Sequence, residues 1–524
     1  MLHSIDLWSI SLETRVLLMI FSSFPCCRHF IAFLAFFTMY TKPLLSTPAS
    51  TSPLEGLPLM PKTRKVDATL YRGIPGWQLA VTCEGWENET TLDPHIDQQI
   101  VQRSFCQLWP VDPGVKRTIV LTIRDPQKNV VFQRSQSIDV FTGTADPQGE
   151  LANPLTTANI HDSTRGISIS YGFFAPPQLS AGDPLATNFQ VYLYLTKDHA
   201  QWMGEETSFH QKPLRQWPLP GLHDAGTYTS ELFGHLTAAK NLAFTQKEPT
   251  AGTLRAGARF FDFRPGHSLE SFLDEMLLSA APFIATSTKE TPACFGPCTT
   301  KMLTHQHSIV DGARLPDFLD QVIRFLIAYP SEIVVINLNE AGVPSWMEAN
   351  PANDPGLVSW IKAAMEPYGA SGLRYSTQVQ DTERSYAELI QANIRLFYLY
   401  RALPDDETSD SYDAPGPGYG DLPAIPSALI WAANQCQAGI KANTVFQLQG
   451  TPTELSGVIL DSLLAPGFDN SHLIGSKSWL DARTYPMISG LFKMCQGSGL
   501  SLWINDFYDS ALTDCLRRAM ATKQ

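Results

Sequence analysis

The sequence is poor in charged residues, and basic residues are the minority among them. Lys and Arg number 38 against 51 Asp and Glu, charged residues make up 17% of 524 positions, and the formal net charge is −13. Nucleic-acid binding requires Lys and Arg to neutralise phosphates, so this balance excludes nucleic acid as a partner. No G-x-G-x-x-G or P-loop motif follows a candidate strand, which argues against nucleotide binding. Because 44% of the residues are apolar, most of the chain can bury a core and is not disordered.

Cysteine is also scarce, and its spacing argues against a structural zinc site. The nine cysteines do not form the paired C-x-x-C modules of such sites. Cys294 and Cys298 bracket a Phe-Gly-Pro turn, which predicts a disulfide-closed loop in an oxidising compartment, with two free thiols as the alternative. Asn88 begins an Asn-Glu-Thr glycosylation sequon, which matters only in a secreted chain.

Residues 1–45 form an apolar leader. Its apolar stretch is interrupted by Arg28 and His29, and a charge at mid-bilayer disfavours one continuous span. A basic pair followed by a short apolar run is typical of a signal peptide, and an uncleaved anchor is the alternative. We therefore expect the protein to be secreted or membrane-anchored through this N-terminal apolar segment. Residues 46–61, rich in Ser, Thr and Pro, are expected to be a linker.

Residues 62–210 have the pattern of an all-β, sandwich-like domain. Short β-branched or aromatic runs are separated by Pro, Gly, Asp and Asn, and Asn188–Leu195 alternates as a half-buried strand does. The other predicted strands are Trp77–Thr82, Thr118–Ile123, Val130–Phe132 and Ile167–Tyr171. This region carries no catalytic constellation, and we expect it to be a structural or binding module.

Residues 211–524 alternate strands with helices, which predicts an α/β fold, specifically a (β/α) TIM-type barrel. Leu315–Ala328 has a helical apolar face, and Glu332–Leu338 is a continuous apolar run typical of a buried parallel strand. Further strands are predicted at Ala258–Phe263, Ile394–Tyr400, Ala428–Ala432 and Leu502–Phe507, and further helices at Asp354–Met365 and Ser510–Met520.

Polar side chains gather at four predicted strand ends, where the active sites of such barrels lie. They are His223 and Asp224, Asp262 and Arg264, His305 and His307, and Asp506. Two imidazoles, a guanidinium and carboxylates are the groups that acid–base cleavage of a phosphodiester requires. One imidazole removes a proton from the attacking hydroxyl and the other protonates the leaving oxygen. The guanidinium stabilises charge on the phosphate oxygens.

Several of these blocks resemble the catalytic X-region of phosphatidylinositol-specific phospholipase C and its relatives. The similar blocks are LPGLHDAGTY, TQ at 245–246, LRAGARFFDFRP, the His305 region with FLDQVIRFLIAYPSEIVVINL, and LWINDFYD. They occur in the family's order over about residues 217–515. The resemblance implies a phosphodiesterase barrel of the phospholipase C-like kind that acts as a phosphoric diester hydrolase or lyase.

The resemblance also assigns roles on the base side of the reaction. His223 matches the general base that activates the inositol 2-hydroxyl, and Asp506 matches the carboxylate that orients it. Asp224 follows the base as in the bacterial enzymes, where this residue assists the acid side.

On the phosphate and acid side, Arg264 matches the phosphate-binding arginine, and Asp262 matches the carboxylate two residues before it. His305 matches the general acid best, and His307 is the alternative. Calcium-dependent relatives place an acidic metal ligand at the position of Arg264. The resemblance therefore implies a metal-free mechanism with no cofactor.

The substrate-binding positions depart from the bacterial pattern. A lysine is expected after the EIVVINL strand, but Asn337, Asn339 and Glu340 stand there, and we take them as candidate substrate-binding residues. The expected partner is a phospholipid or another phosphodiester substrate at a membrane surface, and the departure leaves the head group open.

Two other functional classes remain. His305 and His307 share a strand face, so with Asp262 or Asp506 they could form a metal-dependent hydrolase site. The chain could instead be a catalytically inactive secreted binding protein that uses its β-rich region. Metal analysis separates the first alternative from the phosphodiesterase, and a turnover assay separates the second.

Overall fold

The computed structural model describes most of the chain from residue 65 onward. The described ranges are 65–84, 90–92, 100–107, 116–139, 144–146, 149–151, 159–174, 189–229, 244–267, 303–307, 310–338, 361–400, 424–438, 443–449, 472–495 and 499–522. The predictions for the 1–45 leader, the 46–61 linker, Asn88 and the Cys294–Cys298 pair concern residues outside these ranges.

Ten strands in residues 65–197 form two five-stranded sheets. They are β1 (Lys65–Arg72), β2 (Gln78–Cys83), β3 (Thr90–Leu92), β4 (Ile100–Gln107), β5 (Lys116–Arg124), β6 (Val130–Asp139), β7 (Thr144–Ala145), β8 (Asn159–Asp162), β9 (Ile167–Phe174) and β10 (Phe189–Lys197). The first sheet has the order β4-β1-β10-β9-β8 and the second has the order β3-β2-β5-β6-β7. The separate all-β domain over 62–210 stays a prediction.

The two sheets share an apolar core, and the first sheet is buried on both faces. Val66 of β1 and Val81 of β2 lie in the shared core. Tyr71 and Tyr194, whose side chains point the other way, lie in the core of the region that follows. The sequence predicts a half-buried strand at Asn188–Leu195, but eight consecutive residues of β10 are buried. The prediction fails because helices from the C-terminal part of the chain cover the second face.

Seven strands after residue 217 form one parallel sheet. They are β11 (Pro218–Leu222), β12 (Phe260–Phe263), β16 (Val334–Leu338), β17 (Arg374–Ser376), β18 (Ile394–Tyr400), β19 (Thr444–Gln447) and β20 (Ser501–Asn505). The sheet order is β17-β18-β16-β12-β11-β20-β19, so the first strand pairs with the last. Among the described strands β17 and β19 remain the two edges, and the closed barrel stays a prediction.

A small antiparallel sheet and a set of helices complete the described part of the chain. The sheet contains β13 (Pro265–His267), β14 (Leu303–His307) and β15 (Val310–Arg314). The helices are α1 (Trp202–Glu205), α2 (Thr250–Arg255), α3 (Leu315–Ala328), α4 (Tyr386–Gln391), α5 (Ile425–Gln437), α6 (His472–Thr484), α7 (Ile488–Met494) and α8 (Ser510–Ala521). The α/β class predicted for this part of the chain is confirmed.

Most of the strongly patterned segments form the predicted elements, with one reversal of type. Helix α3 has the predicted bounds, and its apolar stripe packs on the sheet, where Phe318 contacts Phe261 and Phe263. The strand predicted at Ala428–Ala432 is wrong, because these residues lie inside α5. A short apolar run fits either element, and Pro426 in the first turn favours a helix start here.

The predicted location, secreted or membrane-anchored through the N-terminal apolar segment, is not supported by the structure. No helix in the described ranges is long and apolar enough to cross a membrane. The longest, α3, has 14 residues. At 1.5 Å per residue such a helix spans about 21 Å, against a hydrocarbon core of about 30 Å.

One disulfide joins two helical segments of the C-terminal part. It links Cys436 in α5 to Cys495, the residue after α7, with their Cα atoms 5.1 Å apart. This bridge was not predicted from the sequence, which indicated only the Cys294–Cys298 pair, because cysteines 59 residues apart leave no local signal.

Candidate active site

Three neighbouring strands of the parallel sheet place polar residues side by side at their C-terminal ends. Leu222 of β11 pairs with Phe261 of β12 and Asn505 of β20, so the next residues, His223, Asp262 and Asp506, lie at one level. Successive residues of a strand alternate faces, and these three therefore share a face. The sheet brings together residues up to 283 positions apart in sequence.

His223 is held from both sides of its ring. Its Nδ1–H donates to Asp506 Oδ1 at 3.0 Å, and its Nε2 lies 3.0 Å from Arg264 Nη2. A guanidinium can only donate, so Nε2 accepts and the neutral ring carries its proton on Nδ1. Asp224 Oδ2 lies 3.4 Å from the same Nε2. The lone pair that a general base needs therefore points toward Arg264 and Asp224.

Arg264 binds two buried carboxylates as well as this imidazole. Its Nε lies 2.8 Å from Asp224 Oδ1, and its Nη2 donates to Asp262 Oδ2 at 3.1 Å. Both aspartates have 0% exposure. Buried carboxylates need compensating charge, and the guanidinium supplies it for both.

The two histidines of β14 converge on the same aspartate but differ in access. His305 Nε2 lies 3.7 Å and His307 Nε2 lies 3.5 Å from oxygens of Asp224. The side chain of His305 is completely buried, whereas that of His307 is 35% exposed. His305 Nδ1 also accepts the backbone N–H of Arg264 at 3.1 Å, which fixes its proton on Nε2. Both predicted acid candidates therefore lie within this cluster.

Local backbone requirements explain why small residues surround these side chains. Asp224 has a positive φ of 46°, a conformation that aspartate tolerates better than most residues. Gly226 lies so close to His305 that a Cβ there would come within 2.3 Å of the histidine Cβ. The HDAG segment thus turns sharply at the strand end and leaves room for the His305 ring.

The site shifts the pKa values of its groups in opposite directions. Burial acts to lower the pKa of His223, but the carboxylates of Asp224 and Asp506 outweigh it and raise that pKa above its usual value. Burial lowers the pKa of His305 and of His307. Burial acts to raise the pKa of Asp224, but Arg264 and the neighbouring histidines hold it well below its usual range. The site therefore contains one imidazole that holds its proton more tightly and two that release it more readily.

The cluster also has the spacing of a metal site, but the Arg264 guanidinium already provides the positive charge that its carboxylates need. His223, Asp224 and Asp262 bring possible ligand atoms within 4.8 Å of one another. Arg264 contacts all three residues, so a metal ion among them would lie against a fixed positive charge. His305 Nδ1 already accepts a backbone N–H, which weakens the alternative His305/His307 metal pair.

The predicted substrate-binding residues are described only in part. Asn337 of β16 pairs with Asp262 and shares its face, and Asn339 and Glu340 lie outside the described residues. Asn337 is buried, and neither polar atom of its side chain has a hydrogen-bond partner among the described residues. The same holds for Gln449, which follows β19 and which sequence reasoning missed. No local signal marks Gln449, because only the sheet order brings it near Asp506.

Gln246 is a second residue whose role sequence reasoning missed. Its Nε2 donates to the carbonyls of His223 at 2.7 Å and Asn505 at 3.1 Å, and its Oε1 accepts the N–H of Tyr508. It therefore joins the ends of β11 and β20 and holds the base and its carboxylate together. The TQ block at 245–246, one of the blocks that resemble the family, is the sequence signal that marks this residue.

Comparison with known proteins gives matches among solved structures alone. No family model matches the chain, and no curated protein matches it. A phosphatidylinositol-specific phospholipase C from Listeria monocytogenes is 16% identical, with a TM-score of 0.39 over 62% of this chain and 98% of that one. A phosphatidylinositol-specific phospholipase C of Staphylococcus aureus is 14% identical, with a TM-score of 0.40 over 61% and 97%. Both belong to the family that the sequence motifs resemble.

Proposed function

We propose that the protein is a phosphodiesterase that cleaves its substrate by acid–base catalysis with two histidines. The observation that carries this proposal is the position of His223, whose Nδ1 is held by Asp506 and whose Nε2 faces Arg264. Attack on a phosphodiester requires a base with a fixed tautomer and, beside it, a positively charged group that can bind the phosphate.

The first part of the reaction uses His223 as the general base. His223 Nε2 takes the proton of an attacking hydroxyl while the hydroxyl oxygen forms a bond to phosphorus. Asp506 stabilises the imidazolium that results, because it already accepts the Nδ1–H. Charge grows on the phosphate oxygens, and Arg264 stabilises it after releasing its contact with His223.

The second part uses a histidine of β14 as the general acid. The bond from phosphorus to the leaving oxygen breaks, and that oxygen takes a proton from an imidazolium. A general acid must reach the substrate, and His307 is partly exposed whereas His305 is completely buried. We therefore assign the acid to His307, with Asp224 holding both rings. The motif resemblance gives His305 instead, and the variants His305→Ala and His307→Ala distinguish the two assignments.

No metal ion takes part in this proposal. Arg264 provides the positive charge that a divalent cation would otherwise supply, and it already balances Asp224 and Asp262. A metal-dependent hydrolase remains the second candidate, because the spacing of His223, Asp224 and Asp262 would hold an ion if Arg264 moved away.

The substrate in this proposal is a phospholipid or another phosphodiester bearing a polar head group. Asn337 and Gln449 each have a buried amide without a partner in the part of the protein that the structure describes, and such groups are costly unless a ligand satisfies them. We expect them to contact head-group hydroxyls. The surrounding fold in this proposal is a (β/α) barrel in which the β11–β20 pairing joins its first and last strands, preceded by a β-sandwich-like domain.

The experiment is a turnover assay of the purified protein on a panel of phosphodiesters, phosphatidylinositol included, with and without EDTA. Direct product release by the wild type and its loss in His223→Ala would support the proposal. His210→Ala is the matched control, since His210 precedes β11 and its ring, in the described part of the chain, contacts Tyr386 and the carbonyl of Met203. Turnover lost in EDTA and restored by one divalent ion would favour the metal hydrolase. Absence of turnover on the whole panel would favour a binding protein.

A further inference from the structure

A buried polar cluster lies behind β20, on the opposite face of the sheet from His223. We call it the Lys477 cluster, and all of its members are at most 3% exposed. Its members are Tyr194 of β10, Lys477 and Asp481 of α6, Tyr485, Asn505 of β20, and Asp509. The mechanism proposed above uses none of these side chains.

The charged groups of this cluster are paired by close contacts, one lysine with two carboxylates. Lys477 Nζ lies 2.8 Å from Asp481 Oδ2 and 2.5 Å from Asp509 Oδ2. Two hydroxyls support the carboxylates, with Tyr194 Oη donating to Asp481 Oδ2 at 2.7 Å and Tyr485 Oη donating to Asp509 Oδ2 at 2.8 Å. Buried charges persist only when they are paired and hydrogen-bonded, so the members of the cluster fix one another.

The cluster connects to the base through one side chain. Asn505 Nδ2 donates to Asp481 Oδ1 at 3.0 Å and to Tyr485 Oη at 3.1 Å. Asn505 Oδ1 accepts the backbone N–H of Asp506 at 2.9 Å. Asp506 in turn binds His223 Nδ1 at 3.0 Å. An unbroken series of hydrogen bonds therefore runs from Asp481 through the sheet to the imidazole.

We propose that the Lys477 cluster positions the catalytic pair: it fixes Asp506 through Asn505 and thereby sets the orientation of His223. Through Tyr194, strand β10 of the N-terminal β region contributes to this positioning. The inference rests on the proposed role of His223 as the base. The β region would then influence the reaction, although none of its described residues lies in the site.

The chain offers a matched control for Tyr194 on the same strand. Tyr192 is equally buried, and its ring also lies near Lys477 Nζ, at 5.6 Å against 5.9 Å for Tyr194. The Tyr192 hydroxyl has no hydrogen-bond partner within the described ranges, whereas the Tyr194 hydroxyl donates to Asp481. Tyr194→Phe and Tyr192→Phe thus remove the same atom from similar surroundings, and only the first removes a contact in the series.

The test measures the pKa of His223 by NMR titration of its ring, and kcat and KM where a substrate is cleaved. Among the described residues, the charged and titratable groups that face His223 are Asp224, Asp262, Asp506, Arg264 and His307. Asp506 raises the pKa of His223, so a less firmly held Asp506 should let that pKa fall.

We expect Tyr194→Phe to lower the His223 pKa and to reduce kcat about 3- to 10-fold with KM unchanged, the effect of one hydrogen bond. Tyr192→Phe should change neither quantity. Asn505→Asp keeps the shape but places a carboxylate against Asp481, and it should have the larger effect. If that variant does not fold, the tyrosine pair decides the question.

Identical behaviour of the two tyrosine variants would overturn the proposal. The NMR titration needs no substrate, so it still decides if the wild type cleaves no phosphodiester. Failure of the positioning proposal is therefore distinguishable from failure of the proposed function.

Discussion

Replacing Arg264 with methionine tests both the electrostatics and the chemistry of the site. The substitution keeps much of the side-chain length and removes the guanidinium that Asp224, Asp262 and His223 contact at 2.8–3.1 Å. The two aspartates are completely buried, so their negative charges would lose their nearest positive partner. The variant should therefore be less stable and much less active.

The two losses can be sized separately. Removing one partner of a buried ion pair costs about 3–5 kcal/mol of stability, because an uncompensated charge is left behind. Losing one fixed group that stabilises transition-state charge lowers kcat by about 10²–10³-fold. The pKa of Asp224 is held well below its usual range, so its ion pairs stabilise the fold at neutral pH and cease to as pH falls through that low value. The stability difference between wild type and Arg264→Met should consequently shrink below about pH 4.

Chemical denaturation at pH 7 and at pH 3.5, with turnover assays under conditions where the variant is folded, would measure these effects. Arg324→Met is the control, since the Arg324 side chain is 70% exposed on α3 and its ion pair with Asp320 is at the surface. It should leave turnover unchanged. A variant of Arg264 that retains turnover within tenfold of wild type would refute the assignment of Arg264 to the phosphate.

Three further outcomes are expected. Turnover should survive EDTA, because Arg264 takes the place of a metal ion; a requirement for one divalent cation would contradict this. His307→Ala should abolish turnover, whereas His305→Ala should reduce it less in protein that circular dichroism shows to be folded; the reverse order would restore the assignment made from the motifs. The pH profile of kcat/KM should be bell-shaped with limbs on either side of about 6.5, since the pKa of His223 is raised and that of His307 is lowered. The reactive form, with His223 neutral and His307 protonated, is therefore a minor one that is most populated between the two pKa values and declines on either side of them. A flat profile would count against the pair.

The residues of the site could be predicted because each lies beside a strong local pattern. His223, Asp262 and Asp506 directly follow or end buried apolar strands, and the alternation of faces places Asp262 with Arg264. Parallel strands share one C-terminal edge, so identifying the strands was enough to bring these residues together. The exposure that separates His307 from His305 could not be predicted, because both lie on one face of β14.

What the sequence could not predict depends on packing between distant elements. Ala428–Ala432 is a helix segment because α5 covers the sheet, and a five-residue apolar run carries no period long enough to indicate this. The Lys477 cluster gives no signal either. Its residues lie in four separate elements and their connections, and a buried lysine on a helix looks like any surface lysine in the sequence.

The burial of the first β-sheet on both faces bears on how the N-terminal strands contribute to the site. On one face, Thr69 Oγ1 donates to the carbonyl of Ser478 in α6, and Tyr71 Oη donates to Asp514 in α8. Apolar contacts stabilise such an interface whatever the register, whereas hydrogen bonds between buried partners are satisfied in one register only. The bond from Thr69 therefore helps to fix where α6 lies on the sheet, and the bond from Tyr71 does the same for α8. Since α6 carries Lys477 and Asp481, the contact from Thr69 also helps to fix the cluster behind β20 and, through it, the carboxylate that orients His223.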